Sequence, residues 1–193
     1  MSIRDFLPTA AEGVARVVRG AQGADLSGPT PCSDFDLRTL VNHYVGTTQA
    51  LARVGQRLPL DLHDPYGASH DASQGDWQHE LSTNLGALAE AWTSADAWEG
   101  TVDMGGQAMP APMVGEMALA ELLLHGWDLA SATGQTLPVP DEVGRELRRG
   151  IEETAELGRS LGAYGDEVAV GPDASEFERA LAASGRDPGW RAG

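Results

Sequence analysis

One stretch constrains the fold of this chain more than any other. Residues 117–130 read Met-Ala-Leu-Ala-Glu-Leu-Leu-Leu-His-Gly-Trp-Asp-Leu-Ala. Wound as a helix, the segment is apolar almost all the way round, and a helix of that kind has to be enclosed by other elements. At about 100° per residue, Glu121, His125 and Asp128 share a sector roughly 60° wide, flanked by Met117 and Leu124. A buried helix with one narrow polar stripe calls for amphipathic helices around it, and the stripe is either the helix's solvent-facing edge or a face that binds something.

The rest of the chain offers those partners. Phe6, Ala10, Val14, Val17 and Val18 recur at helical spacing over residues 5–20, with Pro8 near the first turn. Ser33, with Asp36 three positions on, offers an N-cap for a second helix over 33–56 carrying Leu37, Leu40, Val41, Tyr44, Val45, Thr48 and Leu51. Residues 57–75, with Pro59, Pro65, Gly67 and Gly75, read as a long surface loop. Asp76 caps a third helix marked by Trp77, Leu81, Leu85, Leu88, Trp92 and Ala95. The buried helix follows Pro110 and Pro112 and stops at Gly134; a fifth is expected over 141–162 and a short sixth from 175 to Gly185. Residues 101–104 and 167–170 are expected as brief strands. The predicted fold is all-α, a four-helix bundle with a small irregular carboxyl-terminal extension, in one domain spanning 1–193.

Composition narrows the function. The net charge of -16, from 13 Lys plus Arg against 29 Asp plus Glu, opposes binding to a phosphate backbone, so nucleic acid is not an expected partner. No apolar run approaches the length of a membrane span, and Met1-Ser2-Ile3-Arg4-Asp5 carries no signal-peptide core, so the expected compartment is the cytoplasm and no membrane partner is expected. Cys32 is the single cysteine, which rules out an intramolecular disulfide or a Cys-rich metal site. Any metal has to be held by imidazoles and carboxylates.

Glu121 and His125, four apart on one helix face, are spaced to reach a single ion. His43 borders the core-facing arc of the second helix and is the natural third ligand. Asp128 is the candidate catalytic residue, a carboxylate placed to orient a ligand or an incoming group. Trp127 points away from this stripe and is assigned to packing. Cys32, eleven residues before His43, lies too far along the chain to join the same ion. Gly158-Arg159-Ser160-Leu161-Gly162 has the form of a nucleophile elbow, but no strand precedes it and no histidine follows His125, so a serine hydrolase is not expected.

Two stretches resemble a known family. Pro31-Cys32-Ser33-Asp34-Phe35-Asp36-Leu37-Arg38-Thr39-Leu40-Val41-Asn42-His43-Tyr44-Val45-Gly46 is similar to the second-helix signature of the mycothiol-dependent maleylpyruvate isomerase amino-terminal domain, in the DinB-like metalloenzyme superfamily. Glu121 to Gly134 resembles the fourth-helix metal signature of an actinobacterial branch, and Asp173 to Trp190, with Gly185-Arg186-Asp187-Pro188, fits that branch as well. The resemblance implies a DinB-like bundle in which His43, Glu121 and His125 bind a divalent metal, usually zinc, with mycothiol as thiol cosubstrate at an open position. The isomerase carries a further carboxyl-terminal domain that contributes to its active site, where this chain has a short extension. The expected function is therefore a mycothiol-dependent metalloenzyme, of thiol transferase or isomerase type, acting on a small electrophilic molecule. Alternatives are a non-catalytic metal- or ligand-binding bundle and a cyclase, lyase or hydrolase using the same pocket. A homodimer is compatible with the sequence.

Overall fold

The computed structural model describes residues 3–32 and 34–192. Helices α1 (Ile3–Gly20), α2 (Leu37–Gly55), α3 (Trp77–Thr93) and α4 (Ala111–Ala132) form the all-α bundle. Helix α1 packs on α3 and α4, and α2 packs on α3 and α4, while α3 and α4 barely meet across the diagonal. A hairpin of β1 (Thr101–Asp103) and β2 (Ala108–Pro110) precedes α4, and α5 (Asp141–Ser160) and α6 (Glu176–Ala183) make up the carboxyl-terminal extension.

Helix α4 is enclosed as its composition demands: Val114, Ala118, Leu119, Leu122, Leu123, Leu129 and Ala130 are each at most 1% exposed. Around it pack the one-sided helices, with Val14 and Val18 of α1 and Leu40, Tyr44 and Leu51 of α2 buried. Arg149 of α5, held by Glu116 of α4 at 3.0 Å and by Glu146 and Glu153 on its own helix, fastens the extension to the bundle.

Several sequence expectations are revised. Helix α1 begins at Ile3, so Pro8 falls in its second turn. Helix α2 is capped by Asp36, whose carboxylate accepts the Thr39 N–H at 2.8 Å; the expected cap Ser33 lies outside the described residues. Residues 167–170 form no strand, the Val168 N–H instead donating singly to the Ala182 carbonyl. The partner strand β2 has no signal of its own in the sequence, because three residues ending in proline carry too little alternation.

The loop from 57 to 75 has a structural cause. Asn84 donates to the Val45 carbonyl and Trp92 to the Leu51 carbonyl, so α3 advances in the same direction as α2. Two parallel neighbours need a connection that returns the length of a helix. The returning strand of chain lies along α2: the Tyr66 backbone presses on Gly46, Asp71 accepts from the Asn42 amide at 3.0 Å, and Ser73 accepts from Arg38. Hydrogen bonds from Ser73, Asn42 and Gln74 hold the Asp71 carboxyl down at about 2. This tether therefore persists at all pH values well above that point and loosens only as Asp71 takes up a proton.

Gly46 gives the loop placement a direct test. A Cβ there would fall 1.9 Å from the Tyr66 carbonyl oxygen. Gly→Ala inside a helix ordinarily stabilises by about 1 kcal/mol, but overpacking against backbone costs about 1–3 kcal/mol. Gly46→Ala is expected to destabilise the protein in a denaturant titration; a gain in stability would show that the loop does not press on α2.

Candidate metal centre

Two interactions set the rotation of α2 against α4. The Tyr44 hydroxyl, fully buried, donates to the Leu122 carbonyl at 2.6 Å, and the Asn84 amide fixes α2 from the other side. With Tyr44 turned into the core, His43 is left at the groove between α2 and α4. There its Nε2 lies 3.5 Å from Glu121 Oε2, while His125 Nε2 lies 3.4 Å from the same oxygen. One ligand atom from each of the three residues falls within 4.8 Å of the others, and this is the group of such side chains that the described residues bring together.

These separations are long for hydrogen bonds and suit another arrangement. Four ligands at about 2.0–2.2 Å from a tetrahedral zinc are themselves about 3.3–3.6 Å apart. Glu121 Oε2 is buried and has no hydrogen-bond partner, although it faces two imidazole nitrogens. A buried acceptor left unmatched costs about 1–3 kcal/mol. A cation between the three groups would satisfy it, so the donor set fits a divalent ion: two nitrogens and one carboxylate, with no sulfur. Burial pushes the Glu121 carboxyl up, but the His125 and His43 imidazoles and the Arg186 guanidinium outweigh it and hold the group below its usual range.

The centre is closed on one side and open on the other. His125 is 10% exposed by side chain, against 27% for Glu121 and 34% for His43, so parts of the Glu121 and His43 side chains reach solvent while Glu121 Oε2 itself is enclosed. The Phe35 ring stands 5.2 Å from the His43 ring and 6.3 Å from the His125 ring, forming one wall. Phe35 was not singled out in the sequence; only its place just before the cap of α2 marked it.

Behind His125 lies Asp128, fully buried. Its Oδ2 is 2.9 Å from His125 Nδ1, and since a carboxylate only accepts, the proton sits on Nδ1 and the Nε2 lone pair is free to face Glu121. Arg186 donates to both oxygens, Nε to Oδ1 at 2.9 Å and Nη2 to Oδ2 at 2.8 Å. Burial raises the Asp128 pKa, and the Arg186 and His125 groups more than reverse that, keeping the carboxyl below its usual range. Asp128 thus accepts a hydrogen bond from the His125 imidazole and is itself without exposure. Arg186, 58 positions away, was missed as a site residue.

Other expectations move. Of the two residues flanking the stripe, Met117 lines a narrow cleft of about 30 Å³ with Ala120, Thr154 and Tyr164, and Leu124 is buried. Trp127 packs against the core and also lines a separate cavity of about 490 Å³ with Leu137, Phe177 and Trp190. Cys32 is half-buried outside the three-residue group, its thiol pushed up by burial and by the Asp128 carboxylate. Ser160 ends α5 with its hydroxyl on the Leu157 carbonyl, as a helix terminus and not an elbow.

Residues 7–130 match the family model of the mycothiol maleylpyruvate isomerase N-terminal domain. The chain belongs to this family. The match takes in α2 and α4, and with them every residue of the three-residue group, and stops before α5. Two uncharacterized proteins of Mycobacterium tuberculosis, one from each of two strains, are 26% identical to the chain over 139 residues, covering 71% of it and 70% of their own length. No solved structure matches. No helix of the described residues is long and apolar enough to cross a membrane.

Proposed function

We propose that the protein is a divalent-metal enzyme that activates a thiol, with mycothiol as cosubstrate, toward a small electrophilic molecule. His43, Glu121 and His125 are the residues that would hold the ion, most suitably zinc. The observation that carries the reading is the unpartnered Glu121 Oε2, buried between two imidazole nitrogens. Family membership supports it, since the family is defined by a mycothiol-linked isomerase domain.

A divalent ion held by three protein ligands keeps an open position and lowers the pKa of a thiol that reaches it. Everything else falls to the chain. Glu121 stays ionised and supplies the negative charge of the ligand set. Asp128 accepts the Nδ1–H of His125 and so keeps Nε2 unprotonated. The Phe35 ring shields the imidazoles on one side, and the exposed edges of His43 and Glu121 mark the approach for a small molecule. Proteins that use a metal only for folding surround it with four ligands; three with an approach from solvent is the arrangement of a reacting centre.

The test is a titration. Purified protein is expected to bind about one zinc per chain, and the zinc-loaded form to bind mycothiol while a desulfurised analogue binds much more weakly. Equal affinity for the two would remove the thiol from the proposal and leave a binding protein. Consumption of a maleylpyruvate-like electrophile only when mycothiol is present would place the activity with that of the isomerase.

A further inference from the structure

The geometry points to Arg186 as a positioning residue of the metal centre, such that docking of the carboxyl-terminal tail and affinity for the metal are coupled. This rests on the metal reading above and goes beyond it, because Arg186 lies outside the segment that defines the family.

The local sequence is built to deliver this one side chain. Helix α6 has eight residues, too few to be stable alone, and both of its ends are capped. At its start Ser175 and Glu178 form a reciprocal capping box. At its end the Gly185 N–H donates to the Ala182 carbonyl and the Arg186 N–H to the Leu181 carbonyl, with Gly185 at φ 88°. That is a Schellman closure, which needs a residue that tolerates the left-handed region. A side chain at Gly185 would also collide with Gly165, its Cβ falling 2.5 Å from the Gly165 Cα. Two glycines thus let the chain cross itself closely, and the turn aims Arg186 inward, to 6% exposure.

There the guanidinium meets Asp128 with two hydrogen bonds and Ser184 Oγ with a third at 3.2 Å. Asp128 has His125 Nδ1 as its other partner. The chain of contacts therefore runs from α6 through Arg186, Asp128 and His125 to the face that Glu121 and His43 share. If the tail undocks, Asp128 loses both bonds from Arg186 and no longer holds the imidazole at one angle with Nδ1 protonated. Partners of this kind, one step behind a ligand, change metal affinity by about 10–100-fold. Coupling is reciprocal, so the metal must hold the tail down by the factor with which the tail tightens the metal.

Zinc affinity is measured on the full chain by competition with a chromophoric chelator, for the wild type, Arg186→Met and Arg186→Lys. Arg186→Met is expected to bind zinc about 10–100-fold more weakly, with Arg186→Lys between, because lysine restores the charge without the two-pronged bond. In a second measurement, zinc is expected to slow amide exchange at residues 184–186 of the wild type by a similar factor. The inference is overturned if Arg186→Met binds zinc within about twofold of the wild type, or if zinc leaves exchange at 184–186 unchanged. Should Arg186→Met fail to fold, the exchange measurement on the wild type decides by itself. A wild type that binds no zinc overturns the metal reading and this inference with it, whereas wild-type binding with an indifferent Arg186→Met overturns this inference alone.

Discussion

His125→Ala is expected to remove most of the response of the protein to zinc. A four-ligand zinc site in a small peptide binds with about 10–16 kcal/mol, roughly 3 kcal/mol or more per ligand, so losing one ligand weakens binding by about two orders of magnitude or more. A ligand present at about a thousand times its dissociation constant stabilises the folded state by about 4 kcal/mol. In a chain of this length that is a rise in Tm of about 8–16 °C. The wild type is expected to show such a rise when zinc is added, and His125→Ala at the same zinc concentration to show at most about a third of it. Glu121→Ala and His43→Ala belong to the same set, and all three are expected to lose bound metal on purification. Removing zinc from the wild type is expected to lower Tm without unfolding the protein, because α1 to α4 share a core of apolar side chains. If wild type and His125→Ala rise equally in zinc, these three residues do not form the site.

The parts of this centre were unequally visible in the amino-acid sequence, for physical reasons. Glu121 and His125 lie on one helix, and the helical repeat alone puts them on one face. His43 belongs to another helix, and its position at the edge of the apolar arc, with the family signature around it, is what singled it out. The same repeat put Asp128 on the polar stripe, yet nothing local says that the stripe is buried at that end. Its burial comes from Arg186 and the tail, which reach it from 58 residues away. A single arginine after a glycine has no periodicity to reveal it; the Gly185-Arg186-Asp187-Pro188 motif marked the place without its role. The loop between α2 and α3 was legible in length and composition, but its cause was not. Whether two successive helices run parallel is decided by packing, here by Asn84 on Val45 and Trp92 on Leu51, and the long return follows from that choice.

The three groups proposed to hold the ion all lie within residues 7–130, on α2 and α4, while the tail that steadies His125 follows α5. The proposed ligands and the contacts behind them thus sit on different parts of the chain.

The largest loss of stability is expected from Asp128→Ala. The carboxylate is fully buried and serves two donors, His125 Nδ1 and the guanidinium of Arg186, itself buried. Removing one partner of a buried ion pair leaves the other charge without compensation, at a cost of about 3–5 kcal/mol. In a chain of this size that lowers Tm by about 6–20 °C. The companion measurement is the double variant Asp128→Ala with Arg186→Met, expected to be more stable than Asp128→Ala alone because no charge is left stranded. Acid acts on the same pair. Asp128 titrates below its usual value in the folded state, so its contribution is complete above the unfolded carboxyl pKa of about 3.9 and is lost as the pH falls through the lower, folded value. Asp128→Ala is therefore expected to narrow its gap to the wild type below about pH 4. A Tm within about 2 °C of the wild type at neutral pH, where a buried pair of this kind has its full effect, would show that Arg186 and His125 do not depend on this carboxylate.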